Sequence, residues 1–322
     1  ETLNNNQLTG ASLSTMWAVQ DRFINNMNFF VEVAKDIGFD GIEINHSMTE
    51  KHIQQIRKSA LLPIHGVHGP APLKIHAGRG ENRGLNLASL DPEERTIIVN
   101  DHIESIELAA DTGANHVVVH LGHVGDGMLT EEKQLRKSFS TNKVAEEDMI
   151  SDLVVNAHSA RQEIAGHFLE SAKNSLDQLA DVASKRGVKI GIENRLHFHE
   201  IPLPSEYEEL LEPYTTELVG YLHDVGHAEV LARLRLVELD SWWGDSDSYG
   251  PGRDLIAMHL HDTIGIRDHV APGEGTTNFM KLQKQIARSN PNAALTFEID
   301  QRQTDLMVGR GLTLLQQIGI VR

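Results

Sequence analysis

The sequence predicts an α/β fold, a single closed (β/α)8 barrel with loop insertions, and three observations carry that prediction. Short apolar runs of strand character recur along the 322 residues, stretches of helical period fill the gaps between them, and no Pro/Ser-rich linker or low-complexity tract breaks the series. Strands alternating with helices imply a parallel sheet. A closed barrel of this kind takes about 250 residues, which leaves roughly 70 for insertions. One domain spanning residues 1–322 is therefore expected, with a doubly wound open sheet as the alternative.

Seven strand-like runs are clear, at residues 41–45, 62–68, 116–120, 188–193, 218–224, 255–260 and 294–298; a weaker eighth lies at 8–13. Apolar residues at i, i+3, i+4 spacing predict helices over 23–36, 93–110, 168–185, 279–288 and 304–318, with a short one at 228–236. Three of these stop at a glycine just before the next strand, at Gly38, Gly113 and Gly187. The surplus falls at 73–91, 124–165 and 240–254, which are read as insertions.

Composition removes several function classes. There are no cysteines, so disulfide scaffolds, cysteine nucleophiles and thiolate metal sites are excluded. No apolar run approaches the roughly 18 residues of a membrane span. A net charge of −17 argues against a surface built to grip nucleic-acid phosphates. The chain opens with Glu1, so removal of an upstream segment is expected; no signal-peptide pattern is visible, and a cytoplasmic location is the expectation. Zinc-protease HExxH, nucleophile-elbow and phosphate-loop motifs are missing. The 18 histidines are the oddity, since imidazole is the commonest metal ligand and titrates near neutrality.

The chemistry collects at strand ends. Glu193, Asp224, His259 and Glu298 close four successive strand runs at intervals of 31, 35 and 39 residues, each about one βα unit. In a barrel those ends share one mouth, where catalytic groups gather. A lone glutamate at a strand end is more often a helix cap or salt-bridge partner; four in succession are not so explained. Three carboxylates and an imidazole brought together repel unless a proton or cation intervenes, and the mixed O/N set suits Mn²⁺, Mg²⁺, Co²⁺ or Zn²⁺. His68, His120, His227, His269, Glu43 and His46 fall on the same rim. His197 and His199 alternate along the chain after Glu193 and are held as substrate contacts or supports. Trp242 and Trp243, in a polar Gly-containing segment, are expected in a lid that stacks on a sugar ring.

Together, Gly191-Ile-Glu-Asn194, His223-Asp-Val-Gly-His227, His259-Leu-His-Asp262, Pro272-Gly-Glu-Gly275 and Thr296-Phe-Glu298 resemble the xylose isomerase-like TIM-barrel superfamily over residues 25–300. That superfamily includes sugar isomerases and epimerases, inosose dehydratases and the endonuclease IV type of DNA-repair enzyme. The resemblance to its ketose 3-epimerase branch implies one metal held by Glu193, Asp224, His259 and Glu298. The two glutamates would also move the substrate proton, and His227 would contact the substrate. That branch has an arginine where this chain has His269. The endonuclease IV branch, with three zinc ions, matches at His68, His120, Glu193, Asp224, His227, His259, His269 and Glu298, but its expected Asp is Arg267 here.

The expected function is thus a divalent-metal-dependent isomerase or epimerase of a sugar or sugar derivative, working by proton transfer through an enediolate, with Glu193 and Glu298 as the acid–base pair. A dehydratase using the same enolate and a metallo-phosphodiesterase acting on DNA are the alternatives. One divalent ion is expected, with room for a second or third. The expected partner is a small carbohydrate, not a nucleic acid or a membrane, and a homo-oligomer is among the expectations.

Overall fold

The computed structural model describes residues 9–140, 147–245 and 247–322. Eight parallel strands close into one barrel: β1 (Ala11–Ser14), β2 (Gly41–Ile44), β3 (Ile64–His68), β4 (His116–Val119), β5 (Lys189–Glu193), β6 (Val219–Asp224), β7 (Leu255–Leu260) and β8 (Ala294–Phe297). β1 pairs with both β2 and β8, through Ser12↔Gly41 and Ser12↔Thr296, so the sheet has no free edge and the open-sheet alternative falls. The weak first strand is displaced to Ala11–Ser14; residue 8 of its predicted span lies outside the described residues.

Side chains alternate across each strand, and here the alternation separates two cores. Ile42, Ile44, Val67, Val117, Val119, Ile190, Ile192, Met258, Leu260 and Phe297 face outward into the main apolar layer beneath the helices. Val118, Leu222 and Ala257 form a small separate cluster inside the barrel. The next inward positions toward the strands' C-terminal ends are polar, and they supply the site described below.

The helices among the described residues are α1 (Met27–Ile37), α2 (Glu50–Ser59), α3 (Pro92–Thr112), α4 (Thr130–Ser140), α5 (Glu147–Arg186), α6 (Pro204–Leu211), α7 (Val225–Arg233), α8 (Phe279–Ser289) and α9 (Asp305–Ile318). α1 and α3 stop as predicted, on Gly38 and Gly113 at φ 113° and 75°, where a side chain would be strained. Asp224 ends β6 and also caps α7, its carboxylate accepting from His227 N at 2.7 Å.

The 124–165 insertion is more ordered than the sequence implied. Its described part is α4 and the first half of the 40-residue α5, which pack together. In that half only Ala157, Arg161 and Ala165 are buried. Two alanines and an arginine carry little apolar signal, so the helical period is faint in the sequence. No described helix is long and apolar enough to cross a membrane.

Candidate metal centre

The inward alternation brings the predicted strand-end residues together. His259 Nδ1 lies 3.2 Å from Glu193, 3.1 Å from Glu298 and 3.7 Å from Asp224. His68 joins them from β3, its Nε2 3.5 Å from Glu193 and 3.8 Å from Glu298. His68, Glu193, His259 and Glu298 form one grouping, with one ligand atom of each within 4.8 Å of the others. His68 is thus a fifth residue at the place where the sequence puts Glu193, Asp224, His259 and Glu298. Asp224 turns both oxygens to His261 Nε2, each at 2.9 Å, and groups instead with His227 and His269.

The electrostatics of the first cluster call for positive charge. Burial alone would lower His259, yet Glu298, Glu43 and Glu193 around it hold it well above the usual imidazole range. Glu298 shows the converse: burial favours the acid, but His259, His269 and His68 keep it ionised far below the usual range. A divalent cation satisfies the same demand. The donor set fits one: two carboxylates and two imidazoles, all buried, the mixed O/N chemistry of Zn²⁺, Mn²⁺ and related ions. His68 Nδ1 faces the Gly69 carbonyl at 3.3 Å, which leaves Nε2 for the cluster.

The second group has its own scaffold. His269 sits at φ 54°, a left-handed conformation uncommon for any residue with a side chain. Its N–H donates to His261 Nδ1 at 2.8 Å, its ring stacks on His261 at 4.3 Å, and its Nε2 lies 3.3 Å from Glu298. Asp268 braces both imidazoles, 3.1 Å from His269 and 3.6 Å from His227.

A cavity of about 370 Å³ opens above the cluster, and His46, His68, His120, Arg195, His269 and Glu298 are among its walls. His197 and His227 also line it; Glu193 does not. Glu193 is sealed behind Arg195 and His120, which approach its Oε2 at 2.9 and 2.5 Å. His197 is fixed from below by Glu132, a fully buried carboxylate on α4, at 3.2 Å. His199 lies beside it, 3.9 Å from the other oxygen of Glu132.

Trp242 is corrected by the structure. It is fully buried and stacks on Tyr221 at 6.3 Å, with Tyr207 on its edge, in the layer between barrel and helices. Residues 240–254 form two short 3₁₀ turns, Leu239–Trp242 and Pro251–Asp254. Trp243 borders a different cavity, about 640 Å³, that shares no wall residue with the mouth. The segment leads into the N-terminal end of β7, and its tryptophans do what large aromatics usually do: fill a core. Four residues escaped the sequence reading: Arg195, Glu132, His261 and Asp268. Glu43 was noticed at a strand end but given no role.

A family model for the xylose isomerase-like TIM barrel matches residues 31–318. The chain belongs to that family. Within it, the chain is 25% identical over 301 residues to an uncharacterized protein, y4fM, of Sinorhizobium fredii, covering 88% of this chain and 84% of that one. Among solved structures it is similar to a D-tagatose 3-epimerase-like protein, with TM-score 0.65, 19% identity and 96% and 97% of the two chains covered. It is also similar to the IolI protein crystallised with a zinc atom, with TM-score 0.64, 13% identity and 97% and 98% covered. At these identities the structural likeness speaks to the barrel.

Proposed function

We propose that this xylose isomerase-like barrel is a divalent-metal-dependent isomerase or epimerase of a sugar or sugar derivative. The observation that carries the reading is the pair Glu193 and Glu298. They approach one imidazole nitrogen from different strands, at 3.2 and 3.1 Å, directly beneath a cavity of sugar size. The zinc of the IolI structure and the epimerase-like neighbour support it.

His68, Glu193, His259 and Glu298 would hold the ion, with Asp224 beside them. When bound there, a divalent ion supplies Lewis-acid polarisation of a substrate carbonyl and stabilises the neighbouring oxyanion. The chain's own groups do the rest. Glu298 lines the cavity and is held ionised, so it can take a proton from a carbon next to the carbonyl. Glu193 is the second carboxylate of the pair; His120 and His68 touch it and both border the cavity, connecting it to substrate. His227, His269 and His197 offer donors and acceptors to sugar hydroxyls.

The second grouping, Asp224, His227 and His269, favours one further reading: a second ion, and with it phosphodiester hydrolysis. The test for both is one panel. The protein, loaded in turn with Mn²⁺, Mg²⁺, Co²⁺ or Zn²⁺, is incubated with ketoses and ketose derivatives in D2O and followed by NMR, alongside an abasic-DNA cleavage assay. Deuterium entering at carbon next to the carbonyl is the expected result. DNA cleavage with no exchange in any sugar would replace the proposal with the phosphodiesterase reading.

A further inference from the structure

We propose that Glu43 is a positioning residue that sets which nitrogen of His259 faces the metal centre, an inference that rests on the metal-dependent reading above. Glu43 lies on β2 between Ile42 and Ile44, which face outward, so its carboxylate projects into the barrel, fully buried. Among the described residues no lysine or arginine pairs with it. Its neighbours are His259 Nε2 at 3.0 Å, His116 Nε2 at 3.6 Å and the Thr296 hydroxyl, which donates to Oε2 at 3.0 Å.

Taking a carboxylate out of water costs several kcal/mol unless its surroundings compensate, so this placement asks for a purpose. Space has been cleared for it. Gly66 pairs with Glu43 in the β2–β3 register, and a Cβ there would lie 2.9 Å from Glu43 Oε2 and 2.9 Å from the His116 ring.

The consequence falls on His259. An imidazole that donates one N–H to a carboxylate presents the lone pair of its other nitrogen to a metal, and such outer partners orient the ligand and raise its basicity. Here the acceptor stands on the Nε2 side, and Nδ1 points at Glu193, Glu298 and Asp224. Glu43 Oε1 and His259 Nε2 lie off hydrogen-bonding angle and have no other partner. At 3.0 Å apart, each is the nearest partner the other has.

The test uses the full chain with Glu43→Met, which keeps the size and removes the acceptor, and Glu43→Gln, which keeps an acceptor oxygen. Zn²⁺ and Co²⁺ affinities are read by competition with a chromogenic chelator. Glu43→Met is expected to bind 10–100-fold more weakly and Glu43→Gln to recover part of that loss, with the far-UV circular dichroism of both variants matching wild type. Glu43→Met binding Zn²⁺ like wild type overturns the inference while leaving the metal centre standing. A wild-type chain that binds neither ion overturns the metal centre and this inference with it.

Discussion

Glu132 makes the sharpest test of how the insertion supports the site. Its buried carboxylate accepts from Phe198 N at 3.0 Å and Arg136 Nε at 2.9 Å and faces His197 at 3.2 Å. Burial alone would raise it, but His197, His199 and Arg136 bring it from the ordinary 4.5 down to about 2. A difference of that size between folded and unfolded chains is worth about 3 kcal/mol at pH 7. Because the folded value is the depressed one, the stabilisation is complete above the unfolded value of 4.5 and fades as pH falls toward 2. At pH 3 roughly 1.4 kcal/mol remains, less than half. Urea unfolding of wild type and Glu132→Gln should therefore show a gap of up to about 3 kcal/mol at pH 7 that narrows steadily into acid. Zinc affinity should not move, since Glu132 belongs to neither candidate ligand group. A gap independent of pH would refute the reasoning, for the charge would then contribute nothing.

Four more outcomes are expected. Glu298→Gln should keep the wild-type circular dichroism and lose roughly 10²–10⁴ in turnover; unchanged turnover would make it a rim residue only. Stripping metal with a chelator should lower the melting temperature and re-addition restore it, with about 2.7 kcal/mol gained at an ion concentration of 100 Kd; no shift with any of the four ions would remove the metal. Trp242→Ala should cost about 3–5 kcal/mol in denaturant unfolding, and its KM should stay within about twofold of wild type, since Trp242 borders no part of the mouth cavity; a larger KM change would revive the lid. His269→Gly and His269→Ala both delete the imidazole, but at φ 54° the glycine variant should be the more stable by about 1 kcal/mol, measured by urea unfolding; equal stabilities would show that the backbone there is unstrained.

Much of the barrel was legible because its strands and helices carry different periods. The runs at 188–193 and 255–260 become β5 and β7 within a residue, and Gly38, Gly113 and Gly187 mark true helix ends. What stayed hidden was structure whose burial is thin. The first half of α5 buries only two alanines and an arginine, Arg161, and α4 buries one leucine, Leu135, beside the charged Glu132. Residues 240–254 misled in the opposite direction: a polar, Gly-containing stretch concealed a tryptophan buried as completely as any core residue. Local composition reports what most of a segment does, and in this segment the exception carries the packing.

The site shows the same division between what one strand encodes and what the sheet encodes. Glu193, Asp224, His259 and Glu298 were legible because strand alternation puts each on the inner side near a C-terminal end. Arg195 follows Glu193 by two residues and lines the cavity in front of it, so the alternation that found one could have found the other. Glu132 left no such trace, being 65 residues from His197, the side chain it holds. Glu43 is the instructive case, because Gly41-Ile-Glu43 repeats Gly191-Ile-Glu193 letter for letter. Glu193 joins a grouping of candidate ligands and Glu43 does not. Glu43 pairs with Gly66, one inward position below His68 on β3, and so lies a layer deeper than the ligands it supports. Alternation decides which side of the strand a residue takes, but depth follows from how far neighbouring strands are staggered around the barrel. That stagger belongs to all eight strands at once, so two identical tripeptides can take different places around the same candidate centre.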